Sequence, residues 1–175
     1  MNQILEEKLK NKKISILGDS ISTYENISNH PFYNPTLRYN PTYYTDQIEL
    51  DETYWMILIN QYQMELCVNH SWSGGYLSRH IPNVGSDFTG NLSCAIERAN
   101  YLARNHQEKP DIILVYIGTN DLGAQISPEV IKESYAEMLY NIRKNYPDAI
   151  TFCIGFPHHK QKEDELTQLY NEIIQ

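Results

Sequence analysis

Four short apolar runs, at about 13–17, 64–69, 112–117 and 150–155, have the length and β-branched content of buried strands. The stretches between them repeat apolar residues at helical spacing instead. Residues 52–62 carry Tyr54, Trp55, Leu58, Ile59 and Tyr62, and residues 92–105 carry Leu92, Ile96, Ala99 and Leu102/Ala103. Ser127-Pro128-Glu129 is a helix start, a capping serine followed by proline in the first turn. It leads into Val130, Ile131, Ser134, Tyr135, Met138, Leu139 and Ile142. A short amphipathic helix is expected over residues 1–10, and another over 163–175 with Leu166, Leu169, Tyr170, Ile173 and Ile174. Lys109-Pro110-Asp111 and Tyr146-Pro147-Asp148-Ala149 punctuate the two helix-to-strand joints.

Strands that alternate with helices imply a parallel sheet covered on both faces. Such sheets bind ligands beyond the carboxyl ends of their strands. The segments after 69 and 155, together with Ser20 and Asn120, are therefore expected at one rim. Residues 30–54 stand apart, with Phe32, Tyr33, Tyr39, Tyr43, Tyr44 and Tyr54 among several prolines. Two readings are open: an ordered insertion that shapes a cleft at the rim, or a tyrosine cover over one side of the sheet.

Composition narrows the partners. The chain has 175 residues, enough for one domain with a sizeable core, and 41% hydrophobic against 21% charged residues is ordinary for a globular protein. A net charge of −8, with no basic run longer than Lys12-Lys13, argues against nucleic acid and anionic membrane. The N-terminus has no apolar signal region, and no stretch reads as a membrane span. Three unpaired cysteines, Cys67, Cys94 and Cys153, fit buried thiols in a cytoplasmic protein, which makes the sequons at Asn26, Asn69 and Asn91 chance matches.

The chemistry lies where the apolar runs stop. The first runs into Gly18-Asp19-Ser20, the second into Asn69-His70-Ser71-Trp72-Ser73-Gly74, the third into Gly118-Thr119-Asn120-Asp121. Taken singly, each has a bland reading: Ser20 caps a following helix, Ser73-Gly74-Gly75 is a loop, Asn120-Asp121 a turn. Taken together and in this order, the three blocks resemble those of the GDSL/SGNH hydrolases, over residues 13 to about 157. The resemblance implies a three-layer α/β/α domain with a flavodoxin-like parallel sheet of order 2-1-3-4. It implies Ser20 as the nucleophile of an acyl-enzyme, with Ser20 N–H, Gly74 N–H and the Asn120 amide as oxyanion donors. Asp19 and Asp121 would hold loop amides. Asp19, Ser73, His158 and His159 are also candidates for contact with substrate.

The family's Asp-x-x-His block, which supplies the general base, does not occur in residues 1–175. The chain is therefore expected to stop before a fifth edge strand, leaving the 150–155 strand with Phe152 and Ile154 exposed and prone to pair with a second copy. His158 and His159 follow the fourth strand, near Glu163 and Asp164, and are the substitutes at hand. His70 reads as a satisfied loop residue, and His30, His80 and His106 have no partner pattern. No metal-ligand spacing appears, so neither metal nor other cofactor is expected. The implied activity is hydrolysis of an ester, with a carbohydrate O-acetyl ester as one candidate. The alternative is a binding module of the same fold that holds an acylated or glycan ligand without turnover. A nucleotide or flavin binder is disfavoured because no phosphate-cradling glycine-rich turn is present.

Overall fold

A computed structural model describes residues 2–24, 49–79 and 94–155. The expected insertion over 30–54, apart from residues 49–54, and the expected helix over 163–175 lie outside them, as do His30, His80, His158 and His159. Four strands form one parallel sheet: β1 (Lys13–Gly18), β2 (Glu65–Asn69), β3 (Ile112–Tyr116) and β4 (Ile150–Cys153), in the order β2-β1-β3-β4. The expected order holds. The chain runs outward from β1 to β2, then returns across β1 to β3, so the order in which strands are added reverses between β1 and β3. A ligand crevice opens at such a reversal in an open α/β sheet.

Alternation along each strand feeds two separate cores. Ile14, Ile16, Ile112 and Leu114 face Trp55 and Ile59 of α2 (Tyr54–Tyr62), with Leu9 of α1 (Asn2–Leu9) packed alongside. Leu17, Ile113 and Val115 face Ile131, Tyr135, Met138 and Ile142 of α5 (Pro128–Asn145), with Ile96 of α3 (Ala95–Arg98) beside them. Helices on both faces make the three layers. The α5 start is as expected: Pro128 opens the helix, and the Ser127 hydroxyl accepts from Val130 N–H at 3.4 Å.

The helix expected over 92–105 is a single turn. Its backbone finds other partners. Asn141 Nδ2 donates to the Ile96 carbonyl at 3.1 Å, Tyr146 Oη donates to the Asn100 carbonyl at 3.0 Å and accepts from Leu102 N–H at 2.7 Å, and Ser15 Oγ donates to the Leu102 carbonyl at 2.7 Å. Side chains from α5 and β1 satisfy groups that a helix would have paired internally, so the apolar residues reach the core from an irregular segment.

Two further details correct or refine the sequence reading. On β4 it is Ile150 (60% exposed) and Phe152 (52%) that face outward, whereas Ile154 packs against the Trp55 core. Asn69 is buried, its amide donating to the Ser22 carbonyl at 2.8 Å, so that sequon offers no accessible acceptor. Cys67 and Cys94 are buried free thiols and Cys153 is a half-buried one. Among the described residues no helix is long and apolar enough to cross a membrane.

Candidate active site

The Gly18-Asp19-Ser20 block is built for a tight strand exit. A Cβ at Gly18 would stand 2.4 Å from Ser22 Oγ and 3.0 Å from Ser71 Oγ, so only glycine fits. Asp19 then caps the 3₁₀ turn Ser20–Ser22, its Oδ1 accepting from Ile21 N–H at 3.0 Å. The cap is thus Asp19 rather than Ser20. Ser20 opens the turn, half-buried, and its hydroxyl makes no hydrogen bond among the described residues. Asp19 itself is 1% exposed. Burial pushes its carboxyl above the ordinary value, against the Ile21 N–H bond, the Arg98 charge and a hydrogen bond from Thr119.

Beyond β2 the loop turns buried and then open. Asn69, His70, Ser71 and Trp72 are buried, Ser73 is half-buried and Gly74 is exposed. Gly74 has φ +70°, and none of the described residues lies within 4 Å of where its Cβ would be. The left-handed backbone selects glycine, and the open space leaves the peptide accessible to an approaching ligand. Gly75 N–H closes the turn on the Trp72 carbonyl at 2.9 Å.

Beyond β3, Gly118 (φ +117°) breaks the strand and starts the short helix α4 (Thr119–Gly123). Two successive side chains of α4 then grip the loop beyond β2. Asn120 Nδ2 donates to the Gly75 carbonyl at 2.8 Å. The fully buried Asp121 carboxylate accepts from Leu77 N–H at 2.8 Å and from Ser78 N–H at 2.9 Å. The loop beyond β2 also reaches the end of β1, through Trp72 N–H to the Gly18 carbonyl at 3.2 Å. The residues following all three strand ends are therefore joined at the carboxyl rim. Asp121 holds loop amides, as the sequence led us to expect.

Beneath the rim lie residues to which the sequence pattern gave no individual role. Tyr54 Oη and Ser22 Oγ share a hydrogen bond of 2.6 Å, and the Tyr54 ring meets Tyr116 edge-on at 5.9 Å. Burial raises the Tyr54 phenol well above its ordinary value. The tyrosine enrichment of 30–54 was the available signal, and Tyr54 is its one described member. His70 is buried, in an edge contact with Tyr101 at 6.4 Å, and His106 is exposed. Among the described residues no three His, Cys, Asp or Glu side chains converge as a metal site would.

A family model described as GDSL-like Lipase/Acylhydrolase matches residues 12–175. The chain belongs to this family. Among solved structures, a GDSL-like lipase from Bacteroides ovatus is 25% identical, with a TM-score of 0.73 over 94% of this chain and 83% of that one. One from Bacteroides uniformis is 23% identical, with a TM-score of 0.69 over 93% and 80%. A family two carbohydrate esterase from Clostridium thermocellum, in complex with cellohexaose, is 20% identical with a TM-score of 0.64, over 93% of this chain and 49% of that one. No curated protein sequence matches. These likenesses show that the chain has the fold of the GDSL-like hydrolases.

Proposed function

We propose that this GDSL-like chain hydrolyses an ester, with Ser20 as nucleophile. Ser20 Oγ attacks the ester carbonyl carbon and gives its proton to a general base. The resulting oxyanion is held by Ser20 N–H, Gly74 N–H and Asn120 Nδ2–H. Collapse expels the alcohol, which takes up the proton, and water then cleaves the acyl-enzyme to free the acid and Ser20. The observation that carries this reading is the 2.8 Å bond from Asn120 Nδ2 to the Gly75 carbonyl. It orients the carboxamide next to the open Gly74 peptide and leaves the second Nδ2–H for a substrate oxygen. Asp-x-x-His being absent from residues 1–175, the base is His158 or His159, or is supplied from outside this sequence.

For substrate we propose an O-acyl carbohydrate. The tyrosine-rich stretch 30–54 supports a sugar-binding surface, and a carbohydrate esterase stands among the fold neighbours. We also propose that the outer edge of β4, which has no neighbouring strand among the described residues and carries the exposed Ile150 and Phe152, pairs two copies of the chain. Among the described residues no base is hydrogen-bonded to Ser20 Oγ, which favours a second reading, a binding module that keeps the rim without turnover. Hydrolysis of p-nitrophenyl acetate by the chain and by Ser20→Ala separates the two. A rate lost in the variant supports the esterase, and equal rates leave only binding.

A further inference from the structure

Among the described residues Arg98 is the only lysine or arginine buried from solvent, at 2% exposure. Its Nη1 donates to the Gly18 carbonyl at 2.9 Å and to the His70 carbonyl. Those two carbonyls occupy telling positions. Each shares a rigid peptide plane with the next residue's N–H, so fixing the Gly18 carbonyl fixes how the chain enters Asp19-Ser20. Fixing the His70 carbonyl likewise fixes how the chain enters Ser71 and runs on to Gly74.

The guanidinium is suited to this and to little else. Its planar fork presents several N–H groups at set angles, so one nitrogen can bridge two acceptors that a neutral side chain of that length would leave unsatisfied. Burial works against its charge, pulling the group down to about 10 despite the opposing influence of Cys94 and Asp19. Keeping a cation there costs desolvation that an apolar residue of the same volume would avoid. Arg98 is in turn held from the second core: it ends α3, whose Ile96 carbonyl accepts from Asn141 of α5 at 3.1 Å. A continuous set of contacts thus runs from α5 through α3 to the underside of the rim.

We propose that Arg98 is a positioning residue. Through the Gly18 and His70 carbonyls it sets the distance between the Ser20 turn and the Gly74 N–H, without touching substrate. This rests on the esterase reading only for its consequence on rate; the clamp itself can be tested without turnover.

The test compares the wild-type chain with Arg98→Lys and Arg98→Met by amide hydrogen exchange and by kinetics on p-nitrophenyl acetate. With the clamp removed, exchange in Gly18–Ser22 and His70–Gly75 should rise about tenfold or more while Ile113–Val115 and Tyr135–Ile142 stay protected. Turnover should fall by about 10²-fold in kcat with KM little changed, the scale of a small misplacement of reacting groups. Uniform loss of protection across both cores would mean that Arg98 only supports packing, and would overturn the proposal. So would unaltered exchange at the two segments, or unaltered kcat in an active protein. If the wild type shows no Ser20-dependent turnover, the esterase reading fails and the exchange pattern alone decides the clamp. If neither variant folds, the wild type decides by NMR: Arg98 guanidinium protons that are slow to exchange and close to Gly18 Hα support the clamp, and fast-exchanging ones overturn it.

Discussion

The carboxamide of Asn120 donates to the main-chain carbonyl of Gly75, two strand ends away in the fold and 45 positions away in the chain. One donor of the amide is spent on orientation and one is left for chemistry. The neighbouring Asp121 carboxylate secures the same loop two residues farther on, so α4 and the loop beyond β2 behave as one unit.

Removing that amide should therefore affect rate more than binding. For Asn120→Ala we expect kcat for p-nitrophenyl acetate to fall by about 10²–10³, the usual loss for one oxyanion donor, with KM changing far less. A drop in thermal stability without a drop in kcat would restrict Asn120 to a structural role.

Two charged anchors should differ sharply in their weight. Asp121→Ala strands two buried main-chain N–H groups and should cost about 2–5 kcal/mol in urea unfolding. Arg79→Ala breaks pairs with Glu97 at 2.6 Å and Glu137 at 2.8 Å, but all three side chains are a third exposed or more. Its cost should be only about 0–1 kcal/mol.

Gly18→Ala places a methyl group against Ser22 Oγ and Ser71 Oγ, with Ser22 Cβ only 2.5 Å away. Neither neighbour is at the end of a flexible chain, so the turn itself must move. We expect a loss of about 1–3 kcal/mol by urea unfolding, the range for overpacked sites. Labelling of Ser20 by a fluorophosphonate should slow in parallel.

Asp19 gives a pH signature. Its native carboxyl lies above the ordinary 3.8 because burial disfavours the charge. The folded state then binds the proton more tightly than the unfolded chain, so this group lowers stability as pH rises from 3.8 through the native value. Asp19→Asn keeps an acceptor for Ile21 N–H and removes the titration. Its unfolding free energy relative to wild type should therefore improve across that pH interval and then level off. A difference that stays flat with pH would show that the native carboxyl titrates normally.

The outer edge of β4, unpaired among the described residues, should make the chain associate. Light scattering is expected to show a dimer at high concentration, and Ile150→Lys with Phe152→Lys should return it to monomer. A wild type that remains a monodisperse monomer would rule this out.

Near-continuous apolar runs such as Ile112–Tyr116 are short and β-branched enough to read as strands buried on both faces, so the pattern of the chain determined the parallel sheet and three of its helices. The glycines that close those runs, and the small polar residues after them, marked the rim by local rules. What periodicity could not carry was any group whose partner is remote in the chain. The 92–105 segment is mostly irregular because Tyr146, Asn141 and Ser15 take its backbone groups. Arg98 read as one more charge at a helix end, yet its partners are carbonyls 80 and 28 positions away. Strand, turn and cap follow from interactions within a few residues, and those the sequence determined. The joining of Gly18, His70, Gly75 and Asn120 into one rim depends on which strands lie side by side, and only the tertiary structure decided that.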